Sequence, residues 1–305
     1  MKLTQILGRT WVLEGAEHMG LYRLDGGRCI LLDSGQQFER QDLADTLAGA
    51  GLTPVGVLSS HIHTDHSINN GWLRTVYGCR TAAPAGEIHL CRSPAALHQY
   101  MAFYSPGTIA RELGDMVSPV DCPIPAGDGI FSFCGADFSI LHTPGHSIDH
   151  ISILTPDNIC YTGDAVLFRS GLKAKLPYGY DLASMIASTR LVETLACGGF
   201  IACHQGCGDC GELHEAARQT RALLLGRAEE IRGLISRPMT WQEILQAVNS
   251  HFSLFSARPM HTLRLERNLR SFLDYLLDTG VLTCQARLGM TYFSPACAAA
   301  EEGAY

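Results

Sequence analysis

Three imidazoles and a carboxylate fall within six residues in the stretch Ser60-His61-Ile62-His63-Thr64-Asp65-His66. Packing is a poor account of such a cluster, because each of these groups needs a polar partner once it is withdrawn from water. Neutral imidazole and carboxylate are donors that suit Zn²⁺ and related first-row ions, so the chemistry open to this stretch is metal binding. An ordinary exposed loop would tolerate any polar residues here. The element that positions the cluster lies immediately before it. Val55-Gly56-Val57-Leu58-Ser59-Ser60 is short, apolar and partly β-branched, the pattern of a buried strand. The candidate ligands start where that strand ends.

His-x-His-x-Asp-His after an apolar strand resembles the first motif of the metallo-β-lactamase-fold hydrolases, the family that includes glyoxalase II. Three further stretches resemble the later motifs, in order. They are Leu141-His142-Thr143-Pro144-Gly145-His146-Ser147, Tyr161-Thr162-Gly163-Asp164, and Phe200-Ile201-Ala202-Cys203-His204-Gln205-Gly206. The resemblance spans roughly residues 8 to 210 and implies a ligand set. His61, His63 and His146 would bind a first ion, Asp65, His66 and His204 a second, and Asp164 would bridge them. The implied cofactor is two divalent metal ions, zinc foremost, with iron or manganese as alternatives. Two cations sharing one water would acidify it into a bridging hydroxide near neutral pH, as a single zinc lowers the pKa of water to about 7. Asp65 is then both ligand and catalytic residue, orienting that nucleophile. Asp33, ending a strand near the cluster, matches a position that usually supports the first metal's ligands. As a strand-end cap it would need no such role.

The elements around these motifs read as α/β. Short strands are expected at Thr10–Glu14, Gly20–Leu24 and Cys29–Asp33, and a helix over Gln37–Ala50. Beyond the cluster come a helix at Gly71–Tyr77, a strand at Arg80–Ala83, two strands flanking Gly135-Ala136-Asp137, and a helix from Asp181 to Cys197. Strands alternating with helices, and ligands at successive strand ends, give a four-layer αββα sandwich with the metals in a groove at one edge. Glu87–Tyr104 reads as one helix. Its Met101, Phe103 and Tyr104 either cover the cleft as a lid or belong to the core. His142 and His150 read as packed, hydrogen-bonded side chains and not as ligands.

At 305 residues the chain has room for a main domain and an appendage, with residues 1–211 as the catalytic unit and 212–305 as a helical, winged-helix-like addition. Thr240-Trp241-Gln242-Glu243 is a capping box, and Thr262–Thr279 has a helical apolar face. Val281–Thr283 and Met290–Phe293 read as a small hairpin. A winged helix invites a nucleic-acid reading, but residues 212–305 hold ten arginines and ten acidic residues, and the whole chain carries −7. Polyphosphate affinity needs a basic footprint, so nucleic acid is not expected as a partner. Arg264, Arg267 and Arg270 are expected on a solvated helix face. The apolar faces are expected to pack on the sandwich or on a second copy in a homodimer. The first residues lack the apolar run of a signal peptide, and no stretch reaches the ~20 apolar residues that span a bilayer. With twelve cysteines read as reduced thiols, a cytoplasmic protein is expected. Cys207-Gly208-Asp209-Cys210 lacks the context of a redox pair.

The expected activity is dinuclear, metal-dependent hydrolysis of a small-molecule ester, thioester, lactone or related acyl substrate. A nuclease or phosphodiesterase of the same fold is one alternative, and a mononuclear iron enzyme of the persulfide-oxidising type is another. Two of the chain's three lysines, Lys173 and Lys175, follow Asp164 together with Tyr178 and Tyr180. They are the candidate substrate-binding residues, the lysines as point charges for a carboxylate or phosphate. The glycine, cysteine and arginine pattern of glyoxalase II is absent here, which argues against glutathione thioesters.

Overall fold

A computed structural model describes residues 1–204 and 206–296, so Gln205 of the last motif and residues 297–305 lie outside the described residues. The first sheet has seven strands in chain order: β1 (Lys2–Leu7), β2 (Thr10–Glu14), β3 (His18–Arg23), β4 (Arg28–Leu32), β5 (Thr53–Leu58), β6 (Arg80–Pro84) and β7 (Cys122–Ile124). The first four form an antiparallel meander and the last four run parallel. Parallel neighbours need crossovers. These are α1 (Arg40–Gly49), then α2 (Thr64–Ser67) with α3 (Asn70–Tyr77), then α4 (Pro94–Tyr100) with α5 (Pro106–Glu112). The second sheet has the order β13-β12-β11-β10-β9-β8. Its strands are β8 (Gly129–Phe133), β9 (Ala136–His142), β10 (Ile151–Leu154), β11 (Ile159–Tyr161), β12 (Gly199–Ala202) and β13 (Gly206–Gly208), with α6 (Leu182–Glu193) between β11 and β12.

The strand period of two assigns the layers. In β4, Ile30 and Leu32 face the second sheet beside Phe138, Ile153 and Ile201. Their neighbours Cys29 and Leu31 face outward onto Leu43 and Leu47 of α1 and Leu73 of α3. A strand buried on both faces has no polar alternation to show, which is why it reads as one apolar run. Val192 of α6 covers the outer face of the second sheet with Phe200. The result is the expected αββα sandwich. All four ligand motifs leave the C-terminal ends of strands, β5, β9, β11 and β12, and meet at one edge of the paired sheets.

Two expectations change. The helix expected over Glu87–Tyr104 is broken, because Ser93 caps a new helix with Pro94 in its first turn, and a proline cannot continue the preceding one. A 3₁₀ turn at Ile88–Arg92 therefore precedes α4. The boundary expected at 211/212 falls inside the first turn of α7 (Cys210–Leu234), opened by the capping box of Asp209 and Glu212. Leu213 and Ala217 of this helix pack on the sandwich, and Leu224, Ala228 and Ile231 pack on the appendage. One helix serves both cores. The rest of the appendage is β14 (Met239–Thr240), α8 (Trp241–His251), α9 (Pro259–Asp278), β15 (Leu282–Arg287) and β16 (Met290–Pro295), with strand order β14-β16-β15. The apolar faces of α8 and α9 close on α7 and on Leu182, Met185 and Ile186 of α6, the chain's own sandwich. Among the described residues no helix is long and apolar enough to cross a membrane.

Candidate metal centre

Three buried imidazoles converge first. His61 Nε2 lies 2.8 Å from His63 Nδ1, which lies 3.1 Å from His146 Nε2. Donors about 2.0–2.1 Å from a tetrahedral zinc stand roughly 3.3 Å apart, so the spacing fits one ion with little adjustment. The protons agree. Ser60 Oγ donates to Asp33 Oδ2 (2.7 Å), so it accepts from Nδ1–H of His61 (3.0 Å) and leaves Nε2 as a lone pair aimed at the other two rings. Burial, reinforced by the neighbouring imidazoles, pushes His61 and His63 well below the ordinary histidine range, and burial takes His146 down to about 4. All three are neutral at pH 7, as ligands must be.

The second set is made of His66, His204, Asp65 and Asp164. His66 Nε2 is 3.6 Å from both Asp65 Oδ2 and Asp164 Oδ1, and His204 Nε2 is 3.1 Å from Asp164 Oδ2 and 3.7 Å from Asp65 Oδ2. Asp164 Oδ2 also lies 3.2 Å from His146 Nε2, so this carboxylate joins the two sets. His66 Nε2 and Asp164 Oδ1 are buried with no hydrogen-bond partner among the described residues. Unpaired buried polar atoms are costly, and a cation between them removes the cost. Cys203 lies beside this set, its thiol pushed up to about 11 by burial. The residues present therefore fit metal ions. The seven residues expected as ligands are brought together.

The groups behind the ligands fix their orientation. Asp33, held at a φ of 63°, accepts from the Ser60 amide, the Tyr161 hydroxyl and His66 Nδ1–H. It thus supports His66 of the second set directly and His61 of the first set through Ser60 Oγ. Glu17 Oε2 stands 2.7 Å from His204 Nδ1, the carboxylate–histidine arrangement common behind metal ligands. His150 Nδ1–H donates to Thr143 Oγ1, and its Nε2 accepts the Asp164 amide at 2.9 Å, so it is no ligand. Gly163 is required there: a Cβ at this position would stand 2.6 Å from His150 Nε2. Glu87, buried and off every motif, accepts the Ile62 amide, the Asp149 amide and the Ser147 hydroxyl, tying the first ligand loop to the second. Glu17 and Glu87 escape the sequence reading, because nothing local marks a carboxylate that acts across the fold.

A cavity of about 410 Å³ opens onto both sets. Met101, Phe103, Tyr104 and Leu113 of the crossover between β6 and β7 wall it, so these apolar residues serve both the core and the cavity wall. Tyr178 lines it too, its ring 5.2 Å from His146 and 5.5 Å from His63, with its hydroxyl 3.2 Å from that of Tyr100. Tyr180 is exposed and packs its ring 5.7 Å from Tyr100, outside the cavity. Lys173 and Lys175 correct the expectation. Both are exposed, neither lines the cavity, and Lys175 Nζ reaches toward Ser253 O (3.5 Å), because the turn carrying them runs against the appendage. The arginines lining the cavity are Arg264 and Arg267 of α9; Arg264 stays exposed at the rim, and Arg267, half-buried, leaves the solvated face expected for it. Arg270 stays in solvent as well, paired with Asp274. The thiols of Cys207 and Cys210 turn to different neighbours, His18 and His214.

The family model described as the metallo-beta-lactamase superfamily matches residues 13–203. An atrochrysone carboxyl ACP thioesterase of Aspergillus terreus is 31% identical over 278 residues, 87% of this chain and 75% of that protein. A hydroxyacylglutathione hydrolase of Thiobacillus denitrificans is 32% identical over 153 residues, 50% of this chain and 48% of its own length. The chain thus spans about half of that relative, and a third of a second fungal thioesterase (34%). Among solved structures, a metallo-beta-lactamase family protein from Thermus thermophilus superposes with a TM-score of 0.69 at 21% identity. That likeness covers 96% of this chain and 97% of the other, so the shared fold extends through the appendage.

Proposed function

The chain belongs to the metallo-beta-lactamase superfamily and is a metal-dependent hydrolase, and from that premise we propose that it cleaves a small acyl substrate, a thioester foremost, at a centre of two ions. The observation that carries this reading is the pair of donor sets joined by Asp164 at one cavity, with seven protein donors for two cations. Bound there, divalent cations acidify a water and polarise the scissile carbonyl. His61, His63 and His146 would hold one, and His66 and His204 with Asp65 the other. Asp65 Oδ2, facing both imidazoles of its set, is the carboxylate placed to orient the attacking water. Tyr178 lines the cavity beside His63 with Tyr100 behind it, and the two rings exclude solvent, which strengthens every charge interaction inside.

Two relatives are named a thioesterase and a hydroxyacylglutathione hydrolase, which supports acyl over phosphodiester cleavage. The appendage's order of helix, strand, two helices and hairpin supports a winged-helix-like reading. Its balance of ten arginines and ten acidic residues supports a packing role and not nucleic-acid binding. The test is elemental analysis of protein purified without added metal, combined with thiol release from S-butyryl-N-acetylcysteamine. Two equivalents of divalent metal and chelator-sensitive thiol release are expected. One equivalent of iron with no hydrolysis would overturn the reading.

A further inference from the structure

Helix α9 brings two guanidinium groups to the cavity that holds the metal ligands. Arg267 is half-buried, its Cζ 3.6 Å from the centroid of Tyr178 and 5.0 Å from that of Phe103. Tyr178 in turn stands 5.2 Å from His146, so one aromatic ring separates this cation from the metal centre. Arg264 lies at the rim and donates through Nε to the Tyr104 hydroxyl at 2.8 Å. Among the described residues no carboxylate comes within 4.0 Å of either guanidinium; Arg267 spends its Nε–H and one Nη2–H on Asn268 Oδ1. Other arginines of α7 and α9 do find carboxylates, such as Arg218 with Glu215 and Arg270 with Asp274.

A half-buried charge without a counterion is costly, and stacking on Tyr178 offsets only part of that cost. Burial, the largest influence on Arg267, opposes its charge, and Arg264 is a like charge nearby. Arg264 also borders two outer grooves, one lined by Arg258 and His261 and the other by Arg111 and Glu112, whose carboxylate turns to Arg111. The route from surface to metals is therefore basic on the appendage side.

We propose that Arg267, with Arg264 at the rim, forms an oxyanion-binding clamp that selects substrates carrying a carboxylate or phosphate a few bonds from the scissile carbonyl. This inference rests on the hydrolytic reading above. The planar fork of a guanidinium suits both oxyanions. The appendage is thus part of the specificity pocket, in the place first expected of Lys173 and Lys175.

Two matched pairs of thioesters locate the anion. S-succinyl- and S-butyryl-N-acetylcysteamine differ in charge on the acyl side. S-butyryl-3-mercaptopropionate and the corresponding primary amide differ on the leaving group. The holoenzyme is expected to prefer the charged member of one pair by about 10- to 100-fold in kcat/KM, the range for hydrogen bonds to charged groups. Arg267→Gln should erase that preference mainly through KM, leaving the neutral member within about threefold, and Arg267→Lys should restore part of it. Lys173→Gln and Lys175→Gln should leave it intact. Calorimetric binding of glutarate and of inorganic phosphate to metal-replete protein supplies a readout independent of turnover. Loss of that binding in Arg267→Gln at unchanged metal content supports the clamp even where no thioester is cleaved, an outcome that would sink the hydrolytic reading alone. Equal preference within both pairs, equal losses on charged and neutral members, or equal anion binding by wild type and Arg267→Gln would each overturn the clamp.

Discussion

The two donor sets share one carboxylate and one cleft, yet their surroundings treat charge in opposite ways. The imidazoles of the first set are buried chiefly against one another, and burial holds them neutral. Those of the second set have carboxylates on both sides: Asp33 behind His66, Glu17 behind His204, and Asp65 and Asp164 in front. Asp164 foremost, helped by Glu17, raises His204 to about 12. His66 rises as well: burial pulls it down, but Cys203 and the carboxylates of Asp65, Asp164 and Asp33 outweigh that pull. The first set thus offers its lone pairs outright at neutral pH. The second holds protons in the absence of metal and must release at least one to bind an ion. Ligands of the same chemical type are tuned by what stands behind them.

The largest effect belongs to the first set, which has no carboxylate of its own to compensate for a lost imidazole. His146→Ala, and equally His61→Ala, should empty that site and lower kcat/KM by about 10³-fold or more, since metal polarisation is worth several kcal/mol of barrier. The sandwich should remain folded, because its core lies between and outside the sheets. Metal analysis, far-UV dichroism and thioester kinetics on one preparation check this. Two bound ions with full activity would end the ligand assignment.

The next effect separates the sets by pH. His204 stands above its ordinary value of 6.5 in the folded, metal-free protein, so its proton stabilises that state fully below about pH 6.5 and less as pH rises toward 12. Metal must displace this proton. Between pH 6 and 8 the affinity of the second set should rise at least about tenfold per pH unit, and toward about a hundredfold where His66 gives up a proton too, while that of the first set stays flat because its imidazoles are already neutral. Competition against a chelator of known affinity, followed by a zinc indicator, reads both steps. Equal slopes would erase the distinction between the sets.

That contrast marks what the residues disclose by themselves. Each proposed ligand sits in a short motif after a strand and is of a type that suits a metal, so His61, His63 and His146 are legible as soon as β5 and β9 are. The sandwich is legible for a similar reason, since β4 alternates faces while every residue from Cys29 to Leu32 stays apolar. Groups that act across the fold are not. Glu17 lies 187 positions before His204, and Glu87 carries no local pattern beyond an acidic residue near a turn. Arg264 and Arg267 show helical spacing, but spacing says only that they share a face. That this face meets the cleft depends on α7 running through both cores, which composition around residue 211 does not signal. Ser93 and Pro94 were readable as a break in the Glu87–Tyr104 helix, and an apolar periodicity across them obscured it.

The finest test of the contrast is Glu17→Gln, which keeps a hydrogen-bond acceptor behind His204 and removes only the charge. Glu17 orients the ring so that Nδ1–H points away from the metal and Nε2 toward it, and its charge makes that nitrogen a stronger donor. Loss of such a carboxylate typically costs 10- to 100-fold in metal affinity; the lower end, about tenfold, applies here because the His204 side chain is 40% exposed and water screens the pair. An opposing effect works wherever metal-free His204 holds its proton, which includes the whole of pH 6 to 8. Without Glu17 the imidazolium of metal-free His204 is less stable, so less is lost when metal displaces its proton. The net penalty should therefore stay below about tenfold and hold constant from pH 6 to pH 8, while occupancy of the first set stays unchanged throughout. Metal titrations of the variant at both values check this, and a penalty shared by the first set would show that Glu17 serves folding and not the second ligand set.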